Sequence, residues 1–321
     1  MLPVSVVLPL SGKCNLDCIF CIQERTQLDN GLTEMVRNFI ITLPKIKNLA
    51  FHSWCEPFAN NQFLEYLFYC RKYLKDSAFT IVTNGTLLNK RIIDKLITIP
   101  PLQISISLNA ATETTYYQIT GTKLFMTVIN NIKYLKNASS LCDNISISIS
   151  IVLNSYNIKE LAKFIQLAKD LGLDHVILYD LIIMKESHRR LSILNNYEES
   201  KKYFSEAFQT ANDIDISVLS LFPLHYYTNP ENWSNNVIPY FCNDPWELFI
   251  VNKDGEVFPC CYSNDKMGNI FKNSFNEIWY GSQYEHFRKE LSSKSHPQCC
   301  KLCPKMIKNL TFESQMHPFL R

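Results

Sequence analysis

The first chemistry this sequence offers lies in its 12 cysteines among 321 residues. Cys14, Cys18 and Cys21 sit close together in Ser11-Gly12-Lys13-Cys14-Asn15-Leu16-Asp17-Cys18-Ile19-Phe20-Cys21, a C-x3-C-x2-C spacing with an aromatic residue before the third cysteine. Three thiolates so spaced can bind zinc with a fourth ligand, or three irons of a [4Fe–4S] cluster. The second arrangement leaves one iron open to a substrate or cofactor, as catalysis requires. Spacing alone says metal loop and does not choose the metal. A second group gathers later: Cys242, then Gly255, Cys260 and Cys261, then Cys299, Cys300 and Cys303. A hairpin cysteine with a C-x2-C knuckle makes a four-thiolate set, again suited to zinc or to an iron–sulfur cluster.

Composition narrows the setting. Hydrophobic residues are 46% and charged residues 19%, enough to bury a core. A net charge of +2 gives no reason to expect nucleic-acid or membrane-surface binding. Only 8 glycines disfavour collagen, Gly-rich linkers and propellers. The apolar start, 1–10, lacks a basic region and is too short to span a bilayer. A soluble, cytoplasmic chain is expected, where thiols stay reduced and clustered cysteines serve metals or catalysis.

The elements that must position these cysteines alternate. Strands are expected at 4–10, 48–52, 79–83, 102–108, 145–153 and 175–183, with helices at 33–43, 61–74, 88–97, 125–136, 158–171 and 197–212. Gly172 is placed as a helix-ending glycine, and 214–219 is a further strand candidate. Six strand-helix repeats argue for a parallel sheet, curved or closed. The Pro-, Asn-, Tyr- and Trp-rich stretch 223–239 reads as a boundary. Beyond it, 247–251 and 256–259 flank Asp254-Gly255 as a hairpin, and a helix ends near Leu291. The expected architecture is α/β: a partial (β/α)6 TIM-like barrel over 1–222, followed by a small cysteine-rich β-hairpin plus helix domain over 223–321.

The first cysteine loop, placed after strand one, resembles the signature of the radical S-adenosylmethionine (SAM) superfamily. The resemblance implies a [4Fe–4S] cluster held by Cys14, Cys18 and Cys21, with SAM on the fourth iron. It implies reductive cleavage of SAM to a 5′-deoxyadenosyl radical and removal of a substrate hydrogen atom, leading to oxidation, epimerisation or cross-linking. Looser matches follow at strand ends, where barrel sites are built. Ser53-Trp54-Cys55-Glu56-Pro57 is similar to the family's Gly-Gly-Glu-Pro, with both glycines replaced. Thr83-Asn84-Gly85-Thr86 resembles its Thr-Asn-Gly turn. Ser107-Leu108-Asn109 resembles its Ser-Leu-Asp, with Asn109 for Asp, and Asn154 falls where an Asn lies near the SAM sugar or adenine. Glu56, Pro57, Thr83, Asn84, Gly85, Ser107, Asn109 and Asn154 are the implied SAM-binding residues.

The second group resembles the SPASM or Twitch extension of that superfamily, in its C-x12-G-x4-C part, in Gly268-Asn269-Ile270 and in Glu277-Ile278-Trp279. It implies one auxiliary [4Fe–4S] cluster on Cys242, Cys260, Cys300 and Cys303, with Cys299 as the alternative to Cys300. Cys261 and Cys55 are candidate hydrogen-atom donors, while Cys70 and Cys142 read as buried small hydrophobes. His52, Trp54, Tyr179 and Asp180 are pocket candidates, and the charged loop 185–190 faces either a polar substrate or water. The implied partners are a flavodoxin- or ferredoxin-type electron donor and a small-molecule or peptide substrate. No leader-peptide-binding domain is expected before strand one, which leans toward a small molecule or a peptide recognised with help from another protein. The rival reading is a degenerate, non-catalytic iron–sulfur or zinc protein, suggested by the altered glycine pair.

Overall fold

The computed structural model describes residues 2–8, 14–21, 34–51, 55–183, 185–221, 242–252, 254–293, 296–300 and 303. His52, Ser53, Trp54 and the boundary stretch 223–239 lie outside the described residues. The chain runs β1 (Ser5–Val7), α1 (Glu34–Thr42), β2 (Asn48–Phe51), α2 (Phe63–Tyr73), β3 (Ala78–Thr83), α3 (Lys90–Leu96) and β4 (Leu102–Ser107). It continues with α4 (Glu113–Thr120), α5 (Phe125–Ser139), β5 (Ile145–Val152), α6 (Leu161–Asp170), β6 (His175–Tyr179), α7 (Glu186–Arg189), α8 (Tyr197–Asp213) and β7 (Ser217–Leu221). The C-terminal part adds α9 (Asp244–Glu247), β8 (Leu248–Val251), β9 (Glu256–Phe258), β10 (Gly268–Asn269), α10 (Phe275–Trp279) and α11 (Ser282–Leu291).

β1 to β7 form one parallel sheet in sequence order. This is the partial barrel, with β7 confirmed as a seventh strand. Helix α4, between β4 and α5, was not anticipated; it starts at the Thr112 cap and ends at Gly121 in the left-handed region. Gly172 likewise has φ 71°, as a helix-ending glycine should.

Strand alternation sorts the side chains. Leu49, Phe51, Phe79, Ile81, Ile104 and Ile149 point to one face and build the core under the helices. The opposite, concave face is polar. Asn48 donates to Ser5 Oγ at 2.9 Å, and Thr80 Oγ1 bridges Asn48 and Gln103. Ser105 and Ser148 are buried register partners, and Ser107 faces Ser150.

The C-terminal part does not stand apart from this sheet. β8 pairs in parallel with β1, Ser5 opposite Leu248, and β9 and β10 extend the same sheet antiparallel. Gly255 makes the β8–β9 turn at φ 75°, where a Cβ would lie 2.7 Å from the Phe271 ring. Arg288 pins α11 to α9 and α10: its guanidinium stacks on Trp279 and Tyr284 and donates to the Pro245 and Trp279 carbonyls. No described helix is long and apolar enough to cross a membrane.

Candidate functional site: two cysteine centres at the barrel mouth

Cys14, Cys18 and Cys21 lie in the loop beyond the C-terminal end of β1, each thiol partly exposed. Buried Leu16 anchors this loop, and its amide approaches Cys14 Sγ at 3.5 Å. The Cys21 amide donates to the Cys18 carbonyl, folding the last two cysteines into one turn. Asn84, in the loop after β3, donates to Asn15 Oδ1 at 2.9 Å and approaches Cys14 Sγ at 3.8 Å. Asn15 in turn donates to Thr86 Oγ1. Burial pushes the Cys18 thiol up to about 12 and that of Cys14 upward as well, and the neighbouring thiolates add repulsion. Such a set holds its charge only when a cation compensates it, and soft thiolates suit iron–sulfur clusters.

The loop that Asn84 belongs to is fixed by Glu56. This carboxylate is 2% exposed. Its Oε1 accepts from Thr83 Oγ1 at 2.6 Å and from the Phe58 amide, and its Oε2 accepts from the Asn84 amide at 2.7 Å. Burial pushes its pKa up, and the three hydrogen bonds oppose that rise. Pro57 opens the short helical turn that Glu56 caps. Gly85 follows at φ 76°; a Cβ there would meet Ile106 Cγ2 at 2.8 Å and Val128 at 3.0 Å. The structure thus brings Glu56, Thr83, Asn84 and Gly85 into one unit that reaches the first cysteine loop. The Glu56 and Thr83 side chains bond to that unit itself.

The ends of β4 and β5 form a second unit. Asn109 sits at φ 61°, and its Oδ1 accepts from the Val152 amide at 2.8 Å. Asn154 is fully buried: Nδ2 donates to the Val152 carbonyl and Oδ1 accepts from the Tyr156 amide. Its side chain therefore builds the loop and shows no surface. Ser107 stays half-buried on the concave face. Glu160, which sequence reasoning missed, parallels Glu56. It accepts from the Ala111 amide and from Thr112 and Thr115 Oγ1 at 2.8 and 2.7 Å, so it ties the β5 loop to α4. Tyr179 is half-buried at the end of β6, and Asp180 accepts from the Leu181 amide. His188, in the charged loop, is buried within it.

In the second cysteine group Cys242, Cys260, Cys300 and Cys303, the expected ligands, are each buried, at 6 to 8% exposure. Cys260 and Cys303 pack with Tyr262 and Ile182, which brings the loop after β6 against this centre. Their charges, if ionised, reach Cys300. Cys299 is half-exposed, 3.8 Å from Cys300 Sγ and 3.7 Å from Asp265 Oδ2. Cys261 is exposed, Cys55 is half-buried against the core, Cys70 is fully buried and Cys142 is partly exposed. Among the described residues, no three His, Cys, Asp or Glu side chains converge on a single ion. A cubane spreads its thiolates over several irons and asks for a wider set.

Comparison with known proteins agrees with this geometry. A family model for the radical SAM superfamily matches residues 8–168, and one for the SPASM iron–sulfur cluster-binding domain matches 242–304. The AdoMet-dependent heme synthase of Methanosarcina barkeri is 23% identical over 94% of this chain and 88% of its own. A probable GTP 3′,8-cyclase of Saccharolobus islandicus is 25% identical over 89% and 90%. Streptococcus suis SuiB bound to S-adenosylmethionine superposes with a TM-score of 0.72 at 15% identity, over 97% of this chain and 73% of that one. The chain therefore belongs to the radical SAM superfamily and, through its SPASM domain, to those members that use SAM, a [4Fe–4S] cluster and auxiliary iron–sulfur centres.

Proposed function

We propose that the chain generates a substrate radical at the mouth of its barrel, and that the substrate is a small polar molecule. The carrying observation is the convergence on Cys14 of the cysteine loop and the Glu56-fixed turn 83–86. A cluster on Cys14, Cys18 and Cys21 would supply the electron that cleaves SAM to methionine and a 5′-deoxyadenosyl radical, which takes hydrogen from a substrate C–H bond. The chain's own residues do the placing. Asn84 and the Leu16 amide orient Cys14, Glu56 holds Asn84, and Gly85 lets that turn approach β4 and α5 closely. Asn109 and Asn154 shape the loops beside it.

Cys242, Cys260, Cys300 and Cys303 are the ligand set we assign to one auxiliary cluster, because burial separates Cys300 from half-exposed Cys299. We divide the chain at 222, with the barrel before and the auxiliary domain after. A flavodoxin- or ferredoxin-type protein is the proposed electron donor. The hydroxyl-lined concave face supports a neutral, hydrogen-bonding substrate group. The heme synthase and GTP cyclase names support a small molecule. A ribosomally made peptide is the second reading, favoured by the shape shared with SuiB, which has been seen bound to precursor peptide SuiA. The outcome is oxidation, epimerisation or cross-linking. Cys261 and Cys55 are the thiols that would return hydrogen in an epimerisation.

The test is anaerobic SAM cleavage by the reconstituted, chemically reduced chain. Formation of 5′-deoxyadenosine by the parent and none by a Cys14→Ala/Cys18→Ala/Cys21→Ala variant supports the reading. No cleavage by a fully loaded parent would leave a non-catalytic iron–sulfur protein.

A further inference from the structure

Asn15, Asn84 and Thr86 close a ring of hydrogen bonds between the first cysteine loop and the turn after β3. Asn84 Nδ2 donates to Asn15 Oδ1 at 2.9 Å, Asn15 Nδ2 donates to Thr86 Oγ1 at 2.8 Å, and the Thr86 hydroxyl donates to Asn84 Oδ1 at 2.7 Å. The ring runs in one direction, and a backbone group sets it. The Thr86 amide lies 3.0 Å from the Asn84 side-chain oxygen. A backbone N–H can only donate, so the Asn84 atom facing it is Oδ1 and the atom facing Asn15 is Nδ2. The second Nδ2 hydrogen of Asn84 is thereby given to Cys14 Sγ, 3.8 Å away. With two hydrogens donated and two bonds accepted, the Asn84 side chain is fully used.

The ring is anchored on the barrel side. Buried Glu56 accepts the Asn84 amide at 2.7 Å, and Thr86 is itself buried. On the loop side Asn15 directly follows Cys14, and the Leu16 amide approaches the same sulfur at 3.5 Å. Cys14 Sγ therefore meets two N–H groups, one placed by its own loop and one by the ring. Sulfur bound to iron is an acceptor, and hydrogen bonds to it help set a cluster's reduction potential. We propose that the Asn15–Asn84–Thr86 ring holds the Asn84 amide as a donor to Cys14 Sγ and so makes the N-terminal cluster easier to reduce. This rests on Cys14, Cys18 and Cys21 as that cluster's ligands. Asn15 and Thr86 are then positioning residues that act through Asn84, and Asn84 acts on the cluster rather than on SAM. The sign follows from charge: reduction adds an electron to the cluster, and a donor aimed at its sulfur stabilises the more negative state.

The experiment is an EPR-monitored redox titration of the reconstituted full chain without SAM, the N-terminal signal being identified in a parallel sample by its response to added SAM. Asn84→Ala should lower the reduction equilibrium constant about tenfold, a shift of about 59 mV to more negative potential for one electron. Thr86→Val keeps the side-chain shape and the backbone amide but opens the ring. It should lower the constant about threefold, a shift of roughly 28 mV in the same direction. Thr86→Ser restores the hydroxyl and should return the parent value. This pair decides the matter if Asn84→Ala loads poorly, because position 86 reaches Cys14 through the ring. The auxiliary signal should stay in place in every variant. An unchanged N-terminal potential in Asn84→Ala and Thr86→Val, at full iron and sulfide content, would overturn the proposal. Equal shifts from Thr86→Val and Thr86→Ser would do the same. An unchanged potential joined to a weakened SAM response would assign Asn84 to SAM instead. A parent with no SAM-responsive signal would overturn the ligand assignment, and the proposal with it.

Discussion

The two cysteine centres are built to opposite specifications. The N-terminal thiols are three, all partly exposed, on a loop held by polar contacts from neighbouring strand ends. The four C-terminal thiols assigned to the auxiliary cluster are all buried, and aromatic packing of Phe249, Trp279 and Tyr284 and the Arg288 pin order the part that carries them. Metal sites commonly divide this way, with catalytic centres keeping a position open and structural ones closed. The contrast teaches that the first centre is arranged to admit a molecule, while the second is arranged to exclude solvent. Both meet one sheet, because β8 pairs with β1, the strand that feeds the first loop.

This contrast breaks most visibly when thiols are removed. Cys260→Ala/Cys303→Ala should lose the second centre, about half of the iron, and keep 5′-deoxyadenosine formation. Loss of cleavage in that variant would erase the division of labour drawn here. The next largest effect is expected at the support of the open centre. Glu56→Ala strands the Thr83 hydroxyl and Asn84 amide, and should cost about 3 kcal/mol of stability in denaturant titration. It should also raise the KM for SAM while sparing the auxiliary iron. Gly85→Ala forces a left-handed side chain into Ile106 and Val128, and should cost about 2 kcal/mol, read as a lower unfolding midpoint.

The smallest effect is expected in the closed domain. Ser274→Ala breaks the capping box of α10 and should cost about 1 kcal/mol with SAM cleavage unchanged. Hydrogen bonds from Ser274 hold the Glu277 carboxyl below the usual carboxylate range. A depressed folded pKa stabilises above the unfolded value and loses that contribution as pH falls through the folded one. The Ser274 amide, the larger contributor, survives in Ser274→Ala, so the gap to the parent should narrow on acidification only by the share of the Ser274 hydroxyl, and a gap that widened would disprove the pairing.

Much of this was legible in sequence for a physical reason. Parallel strands and amphipathic helices have distinct periods, so the barrel repeats showed, the Ser-Ile run of β5 among them as a strand. Cysteine spacing exposed both centres because metal geometry constrains local sequence. Helix α4 escaped because only Thr115, Tyr116, Ile119 and Thr120 are buried on it, a weak apolar stripe. Glu160 escaped because a carboxylate on an amphipathic segment looks solvated, and its partners lie 45 to 49 residues away. The parallel pairing of β8 with β1 joins opposite ends of the chain, beyond the reach of any local pattern. Asn154 matched a position but not a surface, since burial is a property of the fold.

The central claim is two iron–sulfur centres, one open and one closed, and counting them tests it most directly. Iron and acid-labile sulfide should each reach about eight per chain after anaerobic reconstitution, and about four in the Cys14→Ala/Cys18→Ala/Cys21→Ala variant. About four in the parent, or zinc without sulfide, would contradict it.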